Sequence, residues 1–172
     1  PRRRRLTAYS KCLGRAWRWY YERATLLAQA SPMHDTGKIG IPDNILKAPR
    51  KLHADEMGIM KTHAAIGHKI RSQSKTPLFD MAAEIALCHH EKWDGTGYPK
   101  RLKGQNIPIG ARIVAVANYY DRNLTPCPQH WQKTHADAII ELQNKAGLDF
   151  EPAIVKAFSE SVIPHSLRTQ LK

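Results

Sequence analysis

Apolar residues recur at three- and four-residue steps along nearly the whole chain, the spacing of helices that bury one face. Leu6, Tyr9, Leu13, Ala16, Trp17, Tyr20 and Ala24 mark residues 4–30 in this way, and Gly14 weakens the middle enough to predict two helices there. Met57, Met60, Ala64, Ile66 and Ile70 predict a helix over 54–72, with Asp55 and Glu56 near its positive end. Phe79, Ala82, Ala83, Ala86 and Leu87 predict another over 78–90. Ala138, Ile139 and Leu142 predict one over 134–145, ended by Gly147, and residues 151–159 predict a shorter one. Residues 111–121 are strongly apolar, and their β-branched Ile113, Val114 and Val116 are compatible with a buried strand; length and flanks favour a buried helix. The expected fold class is therefore all-α: one helical bundle over 1–160 and a C-terminal tail over 161–172. At 172 residues, with 42% hydrophobic and 24% charged side chains, the chain can carry such a core, which excludes disorder throughout.

Between the helices lie two connectors of interest. Ser31-Pro32 marks a break, a short helix is expected over 33–36, and Gly37, Gly40 and Pro42 make a tight loop. Asp43 is expected to cap a short turn over 44–47. Residues 91–109, with Gly95, Gly97, Gly104, Pro99 and Pro108, form a long loop, and long loops inside compact domains tend to carry function.

The net charge is +12, and residues 1–23 carry eight Lys or Arg against the single acid Glu22. A run of arginines suits nucleic acid, but alone it does not make a site; a solvated helix face is the reading taken, and nucleic acid is not expected as a partner. A positive field also favours an anionic substrate. Cys12, Cys88 and Cys127 are odd in number and widely spaced, which excludes a disulfide framework and a cysteine zinc site and fits a reducing compartment. No apolar run approaches the length of a membrane-spanning helix. The basic start has no signal-peptide pattern and no initiator Met, so the sequence is expected to be a piece of a longer chain.

The residues with chemical capacity fall into five groups. They are His34-Asp35 with Lys38, His63 in mid-helix, His89-His90 at a helix end, Asp94 to Pro99 in the following loop, and Asn118 with Asp121 three residues apart. A lone His in an amphipathic helix ordinarily reads as a satisfied core residue. Histidines and a carboxylate together suit transition metals, and an Asp has two oxygens with which to bridge a pair of ions that activates water and clamps a phosphoryl group.

His34-Asp35-Thr36-Gly37-Lys38-Ile39-Gly40-Ile41-Pro42-Asp43 resembles the HDxGKIGIPD segment of HD-GYP domains, bacterial members of the HD metal-dependent phosphohydrolase superfamily. Met60 to His63 is similar to the next family motif, and His89-His90-Glu91-Lys92-Trp93-Asp94-Gly95-Thr96-Gly97-Tyr98-Pro99 is similar to the HHExxDGxGYP motif. The match continues through Leu102-Lys103-Gly104, Ile107-Pro108 and residues 112–117. The resemblance implies an HD-domain helical bundle with a long GYP-containing loop. It implies hydrolysis of cyclic di-GMP or a related cyclic dinucleotide such as cyclic GMP-AMP, with two or three metal ions, iron or manganese. By resemblance, His34, Asp35, His63, His89 and His90 are metal ligands, with Asp35 bridging. Lys38 touches the scissile phosphate, Asp121 lies on the substrate side, and Gly97, Tyr98 and Pro99 shape the substrate pocket and a docking surface for a partner signalling domain. A cytoplasmic location follows from the same source.

The sequence departs from that pattern at three places. Arg2 stands where the family has a His, and Asn118 where it has an aspartate ligand. Cys127-Pro128-Gln129, then His130, replace an Arg-Pro-Tyr run that holds substrate phosphates. Two outcomes follow: a working phosphodiesterase, or a non-catalytic module that binds nucleotide or a partner. His53, His68, His135 and His165 fall outside the motifs and read as surface residues, and Trp17, Trp19 and Tyr20 as packing residues.

Overall fold

The computed structural model describes residues 2–16, 21–126 and 132–166, with side chains described over 4–14, 22–126 and 132–161. The helices are α1 (Arg2–Ala16), α2 (Tyr21–Ala30), α3 (Asp43–Leu46), α4 (Ala54–Lys61), α5 (His63–Arg71), α6 (Pro77–Cys88), α7 (Ile109–Asn123), α8 (His135–Asn144) and α9 (Pro152–Ser166). No strand occurs among the described residues beyond one isolated bridge between Ala146 and Phe150. The fold is all-α, as the periodicity predicts. Trp17, Trp19, Tyr20, Cys127 to His130 and the last six residues lie outside the described set, as do the side chains of Arg2 and His165.

The apolar segment that fitted strand or helix is α7, and it is the centre of the bundle. Ile113, Val114, Val116, Ala117 and Tyr120 are fully buried, and α7 packs on α1, α6, α8 and α9. β-branched residues have modest helix propensity, but burial on several sides outweighs a few tenths of a kcal/mol per residue. Leu13, Leu27, Ile85, Leu142, Ile154 and Phe158 complete the core around it. Gly14, expected as a weak point, is where α1 crosses α2: a Cβ there would lie 3.1 Å from the Ala24 Cβ.

Four local expectations are corrected. Residues 33–36 are not one helix: 3₁₀ turns run over Ser31–Met33 and Thr36–Gly40, with His34 and Asp35 between them. Asp43 is not a cap but the first residue of α3, and its carboxylate accepts from Lys47 Nζ at 2.6 Å. The expected helix over 54–72 is divided at Thr62, whose hydroxyl donates to the Ile59 carbonyl at 2.7 Å. That turn leaves Met57 and Ile70 exposed; Ala64 is buried as expected, and His63 and Gly67 are buried beside it. The short helix expected over 151–159 is longer, running as α9 from Pro152 to Ser166.

What seats the His34-Asp35 turn on α5 is the absence of two side chains. A Cβ on Gly37 would lie 1.9 Å from the His63 carbonyl oxygen and 2.4 Å from the Gly67 nitrogen. Both are backbone atoms that cannot move aside. Gly37→Ala is expected to cost about 3 kcal/mol, the upper range for overpacking. Gly58, inside α4 with open space around it, is the opposite case: Gly58→Ala is expected to stabilise by up to about 1 kcal/mol. Urea unfolding of both variants checks the pair, and equal midpoints would contradict this account.

Candidate metal centre

Three separate elements deliver the site. The 3₁₀ region after α2 places His34 and Asp35, the first residue of α5 is His63, and His89-His90 follow the last turn of α6. α5 and α6 pack along each other, and Gly67 lets them close up: its Cβ would lie 3.2 Å from the Ala86 Cβ.

Each buried imidazole is fixed by its own turn of backbone. His34 Nδ1 lies 2.8 Å from the Ser31 carbonyl, and His63 Nδ1 lies 2.7 Å from the Met60 carbonyl. His89 Nδ1 lies 3.0 Å from both the Ile85 and Ala86 carbonyls. A carbonyl only accepts, so Nδ1 carries the proton and Nε2 keeps its lone pair. Those Nε2 atoms converge on Asp35. Oδ1 is 3.5 Å from His63 Nε2 and 3.7 Å from His89 Nε2, whereas Oδ2 is 3.4 Å from His34 Nε2 and 2.6 Å from Lys38 Nζ. The two carboxylate oxygens thus face different partners.

The centre is a collection of acceptors facing one another. His63 Nε2 and His89 Nε2 are 3.5 Å apart with no proton to share, and His34 Nε2 is buried with no hydrogen-bond partner. One ligand atom each from Asp35, His63, His89 and His90 lie within 4.8 Å of one another. Buried lone pairs and a carboxylate with no donor between them fit a cation, and imidazole with carboxylate is a transition-metal donor set.

Ionisation states agree. Burial pushes His63 and His89 below the ordinary imidazole value, and burial with the neighbouring imidazoles pushes His90 down to about 2. Burial alone would raise the Asp35 carboxyl; the facing imidazoles of His34 and His89 and the Lys38 ammonium overcome it and hold the group well below the carboxylate range. Neutral imidazole and ionised carboxylate are the forms that bind metal.

The long loop closes over this centre. Gly97 packs where no side chain fits, its Cβ position lying 2.3 Å from the Lys92 nitrogen and 2.6 Å from the His90 carbonyl oxygen. Tyr98 stacks on His90 with ring centroids 4.6 Å apart, and its N–H donates to the His90 carbonyl at 3.2 Å. The Tyr98–Pro99 peptide is cis, and Pro99 is exposed. The buried Glu91 carboxylate accepts from the Lys100 and Leu102 amides at 2.7 and 3.0 Å, holding the loop's far limb.

The HD domain family matches residues 1–154. The chain belongs to the HD-GYP family of HD domains. It is 46% identical over 129 residues to a cyclic di-GMP phosphodiesterase of Thermotoga maritima, covering 75% of this chain and 35% of that protein. It is 40% identical over 158 residues to a 3′3′-cGAMP-specific phosphodiesterase of Vibrio cholerae, covering 91% and 30%. Among solved structures, a cyclic GMP-AMP specific phosphodiesterase of V. cholerae aligns with a TM-score of 0.75 at 17% identity, covering 99% of this chain and 46% of that one. An HD-GYP-type protein of Bdellovibrio bacteriovorus aligns with a TM-score of 0.72 at 20% identity, covering 92% and 50%. The last two likenesses are likenesses of fold. The chain spans about a third of the length of the curated relatives it matches.

Within this HD-GYP site the expected residues divide. Asp35, His63, His89 and His90 form the cluster, His34 and Lys38 adjoin it through Asp35, and Gly97, Tyr98 and Pro99 lie on the loop beside His90. Asn118 lines a cleft next to His89 and His90, where its neutral amide stands in the wall. Asp121 is fully buried elsewhere, its Oδ1 2.6 Å from Arg5 Nε, and it ties α7 to α1. Sequence reasoning did not foresee the anchoring role of Glu91 or the His90–Tyr98 stack. A carboxylate beside a His pair carries the same sequence signal whether it binds metal or backbone.

The suppressed imidazoles predict a pH effect on the metal-free protein. Above about pH 6.5 these groups are neutral in folded and unfolded chains alike. Below it the unfolded chain takes up protons that His63, His89 and His90 refuse when folded. Stability is therefore expected to fall between pH 6.5 and 5, each imidazole contributing up to about 1.4 kcal/mol per pH unit. Urea unfolding of chelator-treated protein at the two pH values reads this directly; a pH-independent midpoint would refute it.

Proposed function

We propose that this domain hydrolyses the phosphodiester bond of a cyclic dinucleotide, cyclic di-GMP or a related molecule, as a metal-dependent enzyme of the cytoplasm. The observation that carries the reading is the convergence of unprotonated Nε2 atoms on the ionised Asp35, beside the ammonium of Lys38. Two or three iron or manganese ions bound here would supply activation of water at neutral pH and charge neutralisation at phosphorus. His34, Asp35, His63, His89 and His90 are the residues that would hold them, the two oxygens of Asp35 facing different partners. Lys38 is half-exposed, so its ammonium can turn from Asp35 to the non-bridging oxygens of an incoming phosphodiester and stabilise their growing charge. The two similar proteins described above act on cyclic di-GMP and 3′3′-cGAMP, which supports this substrate class. Pro99 and the exposed Lys100 and Arg101 behind it form a rim suited to docking a partner signalling domain.

A second reading, a module that binds the nucleotide without cleaving it, draws on Asn118. An amide oxygen in the cleft wall is a weaker transition-metal ligand than a carboxylate and brings no negative charge.

Cyclic di-GMP turnover by protein purified without oxygen and supplied with Fe(II) or Mn(II) separates the two. The enzyme reading expects product from the unmutated protein and a loss of at least about a hundredfold in Asp35→Ala, together with lost metal uptake. A folded, metal-loaded protein that binds cyclic di-GMP but forms no product would establish the second reading.

A further inference from the structure

The cleft beside His90 has a wall that the metal ligands do not explain. It holds about 160 Å³, enough for a phosphate and part of its sugar rather than a whole dinucleotide. The wall opposite His90 is one face of α7, presenting Asn118, Tyr119 and Arg122 at helical spacing.

The charges around this cleft are committed, with one exception. Lys92 donates to Asp149 at 2.8 Å, and Lys145 donates to the other oxygen of the same carboxylate at 2.8 Å. Lys38 is held by Asp35, and Glu91 is spent on two backbone amides. Arg122 is exposed and has no carboxylate partner among the described residues. One turn earlier on the same face stands Asn118. A carboxylate there would draw the guanidinium into an i,i+4 ion pair; a neutral amide carries no charge with which to do so. Arg122 also lies within electrostatic reach of Tyr98, the ring stacked on His90. A planar fork of donors at the mouth of a cleft that ends on buried imidazoles is shaped for a phosphodiester, whose two non-bridging oxygens match a guanidinium edge.

We propose that Arg122 is the phosphate-positioning residue of this site, its guanidinium holding a phosphodiester of the nucleotide in the cleft that His89 and His90 line. The proposal rests on the substrate class assigned above and adds a residue to it. Among the described residues no hydrogen bond or ion pair joins Arg122 to a proposed metal ligand, so its removal should weaken nucleotide binding while leaving metal content and folding intact.

The test is calorimetric titration of the metal-loaded chain, its Arg122→Ala variant and its Arg122→Lys variant, with cyclic di-GMP and separately with inorganic phosphate. Metal content and thermal midpoint are measured on the same samples. Expected for Arg122→Ala is an increase in Kd of about tenfold or more for both probes, at unchanged metal content and midpoint. Arg122→Lys should recover part of it, since an ammonium keeps the charge but loses the fork. Equal Kd values in the unmutated chain and Arg122→Ala overturn the proposal, as does absence of phosphate binding by the unmutated chain. Phosphate binding that depends on Arg122, in a chain that ignores cyclic di-GMP, keeps Arg122 as an oxyanion contact and rejects the substrate class instead.

Discussion

The backbone of Gly37 lies directly on the backbone of His63 and Gly67, and the geometry of the site follows from that contact. Asp35 is two residues before the contact and His63 is in it, so the same approach that packs the 3₁₀ turn on α5 sets the carboxylate 3.5 Å from the imidazole. On its other side Gly67 lets α6 come close, and α6 brings His89 and His90. Two residues without side chains thus join three stretches of chain that are far apart in sequence.

What those stretches bring together is electrostatically costly without a cation. An ionised carboxylate and several unprotonated imidazole nitrogens face one another in a buried space, and Lys38 offsets one side of it. The fold sustains this because the surrounding bundle is well packed around α7. The chain's net charge of +12 acts in the same direction, favouring anions at the open side of the centre.

Much of this architecture is legible in the sequence, for physical reasons that differ from place to place. Helical periodicity reports burial of one face: in α8 the predicted Ala138, Ile139 and Leu142 are the buried residues, and in α6 Ala82, Ala83, Ala86 and Leu87 are buried as predicted, while Phe79 is half-buried and Ile85 and Cys88 join the buried side. It fails across α4 and α5 because the chain turns at Thr62, and a turn rotates the buried face without changing the composition. There the buried side is His63, Ala64 and Gly67, of which only Ala64 belongs to the apolar pattern. The histidines of the candidate metal site are legible as a set because the motif pattern is long, and the structure gathers Asp35, His63, His89 and His90. Asp121 shows the limit. Its spacing from Asn118 places both on neighbouring helical positions, but only the folded chain reveals Arg5 arriving from the other end to claim its carboxylate. Partners supplied by distant segments leave no local mark.

The anchors of His34, His63 and His89 carry a consequence for how such a chain can change. Each ring is steered by a carbonyl three or four residues earlier, and a carbonyl is present whatever amino acid occupies that position. Substitution at Ser31, Met60, Ile85 or Ala86 alters the side chain and keeps the oxygen. The orienting layer behind these rings is therefore insulated from mutation so long as the helical turn persists, and sequence drift around them can proceed far while the donor atoms hold their aim.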